Sequence, residues 1–222
     1  MLQNFLHSDF YIEKGTADTR LIRHFFAALL GVLLFVWSVM PQADQMEPAP
    51  HTANPAAFFL VASQQMADPR FRQTVLLVTK HGNASPIGVI VNRPEHLTLD
   101  KMFPEYPAAH QFSLFNGGPL YTRQLSYLVR GSDAVAGALT ICSNVYLAYD
   151  QATLFELLEG KRTYKNLRVM HGMASWAPGQ LEGEIRLGEW IAMPVDVAVL
   201  FDLPPAKIWQ ELHRRASSSH EI

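Results

Sequence analysis

The sequence predicts an α+β fold, a mainly antiparallel or mixed, bent β-sheet with a few flanking helices. Three observations carry this. Short apolar runs rich in Val, Leu and Phe recur through residues 56–216; helical periodicity is confined to a few short segments; and the two kinds do not alternate as a doubly wound fold requires. A chain of 222 residues, 49% apolar and 17% charged, is long enough to bury a substantial core around such a sheet.

In chain order, residues 1–20 form a polar N-terminal extension. Residues 21–41 form a hydrophobic segment, of which Phe25–Met40 is apolar throughout except for Gly31 and Ser38. As a helix that run would extend about 24 Å, short of the ~30 Å hydrocarbon core unless Leu21 and Ile22 lengthen it. Arg20, Arg23 and His24 precede it and Asp44 and Glu47 follow, so a membrane anchor would keep the N-terminus in the cytoplasm. Three readings of residues 1–53 stay open: an anchor, a cleaved export signal, or upstream sequence translated from a start codon called too early, with a cytosolic protein as the consequence of the last. Residues 42–55 read as a Pro-rich linker in every case.

The folded domain is expected over 56–216. Ala57–Ser63 and Thr74–Lys80 are continuous apolar runs suited to strands covered on both faces. The turn residues of His81–Pro86 lead into Ile87–Val91, so Thr74–Val91 reads as a hairpin. One or two helical turns follow at Leu97–Phe103, with Thr98 as cap. Phe112–Asn116 and Leu125–Arg130 are strands flanking Gly117-Gly118-Pro119. Asp150 is placed to cap a helix over Gln151–Glu159 that Gly160 ends. Leu167–Met173 and Glu189–Pro194 are further strands. Pro205–Ala216 is a closing helix with Ile208, Trp209 and Leu212 on one face. Residues 217–222 are an unstructured tail.

The densest local signal is Gly172–Trp190. Pro178 and Gly179 reverse the chain after a strand, and a short helix from Gly179 to Leu187 follows, with Leu181 and Ile185 on its buried face. Glu182 and Glu184 lie in its first turns, where the exposed amides favour negative charge by about 0.3–1 kcal/mol. One reading is a core clasp in which Trp176 and Trp190 pack a strand-turn-helix unit; the other is a small polar site offered by Gln180, Glu182 and the turn amides. The two are compatible.

Gly172-Met-Ala-Ser-Trp176-Ala-Pro-Gly-Gln-Leu-Glu182, taken with Phe59-Leu-Val-Ala-Ser63, Asp68-Pro69-x-Phe71, Asn92-Arg93-Pro94 and Gly117-Gly118-Pro119, resembles the YqgE/AlgH family of small bacterial proteins. The resemblance covers roughly residues 54–216 and implies a single α+β domain. It implies little about activity beyond a regulatory role, attached to the family by its proposed part in alginate production, with a transcriptional regulator as the label. The family ordinarily begins near Phe58, so residues 1–53 depart from it.

Charge and motifs exclude several classes. Of 18 basic and 20 acidic residues, three and five fall in the first 53, leaving 15 of each, so the domain has no basic surplus for a polyanion. Lys161-Arg162-x-x-Lys165-x-x-Arg168 and His213-Arg214-Arg215 are local basic clusters read as solvated faces, and direct nucleic-acid binding is disfavoured. Cys142, the single cysteine, sits in an apolar run as a buried thiol and excludes an intrachain disulfide. No nucleophile elbow surrounds Ser175, Gly160-Lys-Arg-Thr fails as a phosphate loop, and the histidines lack metal-ligand spacing, so no cofactor and no metal are implied.

What remains is a surface built from loops at strand ends. Arg93 reads as a clamp on carbonyls or on a carboxylate such as Asp68 or Glu182, or else as a fork for an anionic ligand. Asn92 caps a turn, and Gly117 and Gly118 permit close approach and could offer amides. The candidate ligand-binding set is therefore Asn92, Arg93, Gly117, Gly118, Trp176, Gln180 and Glu182. The function expected is a non-enzymatic ligand- or protein-binding module with a regulatory role, its small-molecule or protein partner unidentified. The alternative is a small hydrolase with a dispersed site around Arg93, His171 and Glu182.

Overall fold

The computed structural model describes residues 57–79, 85–133 and 135–218. The expected N-terminal extension, hydrophobic segment and linker, and most of the residues past 216, lie outside them. Among the described residues no helix is long and apolar enough to cross a membrane.

Ten strands join in one sheet: β1 (Phe58–Ala62), β2 (Val75–Thr79), β3 (Ile87–Ile90), β4 (Pro94–Thr98), β5 (Ser113–Asn116), β6 (Leu120–Arg130), β7 (Leu139–Cys142), β8 (Val145–Ala148), β9 (Asn166–Ser175) and β10 (Trp190–Pro194). Among the described residues four helices flank it: α1 (Gln151–Leu158), α2 (Gln180–Arg186), α3 (Val197–Asp202) and α4 (Pro205–Ser218), with 3-10 turns at Leu99–Lys101 and Pro107–Gln111. The strand order is β10-β1-β2-β3-β9-β6-β8-β7, with β5 laid parallel to β9 and β4 antiparallel to β5. All other pairs are antiparallel. β9 is the hinge of this arrangement. Val169–His171 pair with β5, Ala174 and Ser175 pair with β3, and β6 runs along its other edge.

The sheet curls into a half-barrel, helped by register shifts between β4 and β5 and between β6 and β9, and side chains of alternate parity collect on its opposite faces. Phe59, Val61, Val75, Leu77 and Val89 meet Leu128, Leu147 and Met170 on the inner face, where Val199 and Leu200 of α3 and Ile208 and Leu212 of α4 close the core. On the outer face Tyr127, Val129 and Val169 pack under Leu154, Leu157 and Leu158 of α1. At the other end of the sheet the outer face, Leu60, Leu76, Val78 and Ile90, is covered by Trp176, Leu181 and Trp190. The strands read from apolar runs are thus those sandwiched on both sides.

One inner-face residue is a cation. Arg168 of β9 is 7% exposed, donates to the Val91 carbonyl at 2.6 Å, and lies 4.8 Å and 5.8 Å from the ring centres of Phe115 and Phe201. Burial pushes its guanidinium down to about 10, and the two ring faces take the place of a carboxylate.

Other elements depart from expectation for local reasons. β4 begins on Pro94 and is polar, as an edge strand tolerates. β7 and β8 are four-residue strands joined through Asn144, whose φ of 64° is that of a tight hairpin turn. α3 is a six-residue helix whose cap is plain: Asp196 accepts from the Ala198 and Val199 amides at 2.9 and 3.2 Å. Thr98, expected as a cap, makes no capping hydrogen bond, since the turn it opens is 3-10. Asp150 caps α1 as expected, accepting from the Thr153 amide at 2.8 Å.

Candidate functional site

Where β9 ends and α2 begins, the chain reverses at Gly179 and brings two indoles over one carboxylate. Trp176 and Trp190, 4% and 3% exposed, stand edge to face with ring centres 6.4 Å apart. Each donates its Nε1–H to the same oxygen, Oε2 of Glu184, at 2.9 Å. The other oxygen, Oε1, accepts from Nε2 of Gln180 at 2.9 Å, and Oε1 of Gln180 accepts from the Ala177 amide at 3.0 Å. Gln180 and Glu184 are four apart on a helix and so share a face. Glu184 is therefore held by three neutral donors, and among the described residues it has no lysine or arginine partner.

This cluster forms one wall of a cavity of about 240 Å³. The opposite wall is the loop after β1, contributing Asp68, Arg70 and Phe71; Pro119, Ser175 and Glu189 complete it. Phe71 stands against Trp190 with ring centres 5.6 Å apart. Arg70 and Asp68 neutralise each other through a 2.6 Å ion pair, and the hydrogen bond from Arg70 holds the Asp68 carboxyl below its usual range. Glu189, like Glu184, makes no ion pair among the described residues; the cation that shares the cavity, Arg70, is paired with Asp68 and lies 5.8 Å from the centre of the Phe71 ring. The cavity thus carries two uncompensated carboxylates between three aromatic rings.

The sequence-derived candidates divide around this cavity. Trp176 and Gln180 line it. Asn92 and Arg93 support it from behind. Asn92 accepts from the Val75 amide at 2.8 Å and donates to the Gln73 carbonyl at 2.9 Å, while Arg93 donates to the Arg70 carbonyl and, at 3.1 Å, to that of Arg72. Arg93 is the carbonyl clamp of the Asp68–Gln73 loop, and burial lowers its pKa; it is not aimed at the cavity. The Gly117 and Gly118 amides are also committed, to the His171 carbonyl at 2.7 Å and to Oδ1 of Asn116 at 3.1 Å. Their role is close approach: a Cβ on Gly118 would stand 2.3 Å from the backbone of Met173, and one on Gly172 would stand 2.2 Å from the Gly118 oxygen. Glu182 is exposed on α2 and does not line the cavity.

Arg93, His171 and Glu182, the set expected for a hydrolase, do not share this cavity. The His171 ring faces the Glu95 carboxylate at 2.9 Å and the Thr122 carbonyl at 3.1 Å. Among the described residues no three His, Cys, Asp or Glu side chains gather as metal ligands would. Glu184, Glu189, Phe71 and Trp190, all lining the cavity, stand outside the candidate set read from sequence. Glu184 could have been found by fixing the helix start at Gln180 and counting one turn.

Comparison with known proteins gives a consistent picture. The profile of a family described as AlgH-like matches residues 59–221. An uncharacterised-family protein from Stutzerimonas stutzeri (strain A1501) is 33% identical over 153 residues, 66% of this chain and 80% of the relative. The AlgH protein of Pseudomonas aeruginosa (strain PAO1) is 33% identical over 154 residues, with the same coverage of each chain. The solution structure of the P. aeruginosa AlgH protein superposes with a TM-score of 0.60 at 29% identity, covering 75% of this chain and 88% of that one. A crystal structure of a Corynebacterium diphtheriae protein gives a TM-score of 0.61 at 23% identity over 72% and 86% of the two chains, a likeness of fold.

Proposed function

This chain belongs to the AlgH-like family, and on that premise we propose that its domain over 56–216 is a non-enzymatic ligand- or protein-binding module whose cavity receives a cationic group. The group is an ammonium or a guanidinium, on a small ligand or at the tip of a partner's side chain. One observation carries the reading: Glu184 and Glu189 stand uncompensated between Phe71, Trp176 and Trp190. By contrast, other described carboxylates such as Glu156, Glu159, Asp196 and Glu211 are paired with Lys or Arg. Aromatic faces attract a cation by about 0.5–2 kcal/mol, more as water is excluded, and adjacent carboxylates add to this.

The size supports a head group, not a whole ligand, since drug-sized pockets span ~300–1,000 Å³ and this one is about 240 Å³. Trp176 and Gln180 of the sequence-derived set belong to the proposed contact surface, joined by Glu184, Glu189, Phe71 and Trp190. Asn92, Arg93, Gly117 and Gly118 hold that surface in place, and Glu182 is left at its margin. The regulatory role that the family resemblance implies would run through occupancy of this cavity, with no contact to DNA. The test is an NMR titration of the full-length chain with n-butylammonium chloride, read at the indole N–H resonances of Trp176 and Trp190. Both are expected to shift saturably with the ammonium and to stay in place with sodium butyrate. Equal shifts from the two salts, or none from the ammonium, would refute the reading.

A further inference from the structure

The linear basic cluster at residues 161–168 does not survive folding as a patch. Lys161 pairs with Glu159 at 2.5 Å, Arg162 pairs with Glu156 at 2.8 Å, and Arg168 is buried in the inner core. Only Lys165 is left, and folding gives it a new neighbour. Its amide donates to the Arg130 carbonyl at 2.7 Å, and the Gly131 amide donates to the Asn144 carbonyl at 3.0 Å. These two backbone bonds lace the end of β6, the β7–β8 turn and the segment leading into β9 around a cleft of about 390 Å³. Arg130, Lys165, Asn144, Ser132, Thr163 and Tyr164 line it, and no carboxylate does.

Arg130 is anomalous within this domain. Of the described arginines that are buried or half-buried, Arg93 bonds two carbonyls, Arg162 bonds Glu156, Arg168 bonds the Val91 carbonyl and Arg215 bonds Asp196. Arg130, half-buried at the mouth of the cleft, alone among them has no hydrogen-bond or ion-pair partner within the described residues. A guanidinium in that state is a planar five-donor fork without an acceptor. The Thr163 hydroxyl and the Asn144 side chain likewise make no hydrogen bond among the described residues. Asp133, the acid nearest to Arg130 in sequence, is exposed and accepts from the Ser132 hydroxyl at 3.2 Å.

We infer that the Arg130–Lys165 cleft is a binding site for a small phosphate-bearing ligand. A phosphomonoester carries about −1.5 to −2 charges and three acceptor oxygens, which match two cations and the neutral donors around them. A carboxylate would leave one cation unmatched. A nucleic acid backbone is disfavoured by the narrowness of the positive surface. With Lys161 and Arg162 already neutralised, about two phosphates could be compensated, which gives weak binding with only a modest salt dependence. This site stands apart from the cationic-group cavity: Leu120 lines that cavity and Arg130 this cleft, at opposite ends of β6, on the order of 30 Å apart along the strand.

The experiment is an NMR titration of the full-length chain at constant ionic strength with inorganic phosphate and with glycerol 3-phosphate. Sodium acetate and a twelve-residue oligothymidylate are the comparison ligands. Saturable shifts of the Gly131, Ser132 and Asn144 amides with both phosphates are expected, weakened at least about tenfold in Arg130→Gln and in Lys165→Gln, as loss of a charged hydrogen bond implies. Shifts that match those from acetate, that persist unchanged in both variants, or that the oligonucleotide produces at lower concentration would overturn the proposal.

Discussion

Gly172→Ala is expected to cost about 3–6 kcal/mol and to leave little folded domain, given that domains of this size are stable by roughly 5–15 kcal/mol. Two penalties combine. Gly172 has a φ of 74°, which an L side chain adopts only with strain, and its Cβ would stand 2.2 Å from the Gly118 oxygen, which belongs to backbone that cannot swing away. Gly118 meets β9 from the other side, so the two glycines define a backbone crossing at the centre of the sheet. Gly137→Ala is the control. Its φ of 71° is nearly the same, but nothing lies within 4 Å of the added Cβ, so it reports the conformational cost alone, about 1–2 kcal/mol. Urea unfolding followed by circular dichroism measures both. Equal losses in the two variants would mean that the crossing is looser than described.

Glu184→Ala is expected to cost about 2–6 kcal/mol. Each buried donor left without an acceptor costs about 1–3 kcal/mol, and this change orphans the indole N–H of both Trp176 and Trp190. Glu184→Gln keeps an acceptor oxygen and is expected to lose less than half as much. Urea unfolding followed by circular dichroism measures both losses. A loss below about 1 kcal/mol in the alanine variant would show that water replaces the carboxylate at both rings.

Much of this was legible in the sequence, and the exceptions have particular causes. The runs at Phe58–Ala62, Val75–Thr79 and Ile87–Ile90 declared themselves because both their faces are buried, and the Asp150 and Gly160 boundaries because capping is local chemistry. β4 and the β7–β8 hairpin did not, since a polar edge strand and four-residue strands carry too little periodicity. The site was half legible. Trp176 and Gln180 marked the turn correctly, but the choice of Glu182 over Glu184 depended on helical phase: α2 begins at Gln180, which turns residue 184 toward the indoles and residue 182 toward solvent. Arg93 could be read as a clamp or as a ligand fork, and only the positions of the Arg70 and Arg72 carbonyls decide for the clamp. The Arg130–Lys165 cleft was beyond sequence altogether, because it joins residues 35 apart while the apparent cluster beside Lys165 is dismantled by Glu156 and Glu159.

The charge account of the cavity makes a claim about sign, and isothermal titration with n-butylammonium tests it most directly. Glu189→Gln removes an uncompensated carboxylate, whereas Arg70→Gln frees Asp68 from its ion pair and adds one. Opposite changes are predicted, weaker binding by about tenfold in Glu189→Gln and tighter binding by a few-fold in Arg70→Gln, in keeping with partly exposed charges. Changes of the same sign, or none in either variant, would contradict the account and leave the indole–carboxylate cluster as a purely structural clasp.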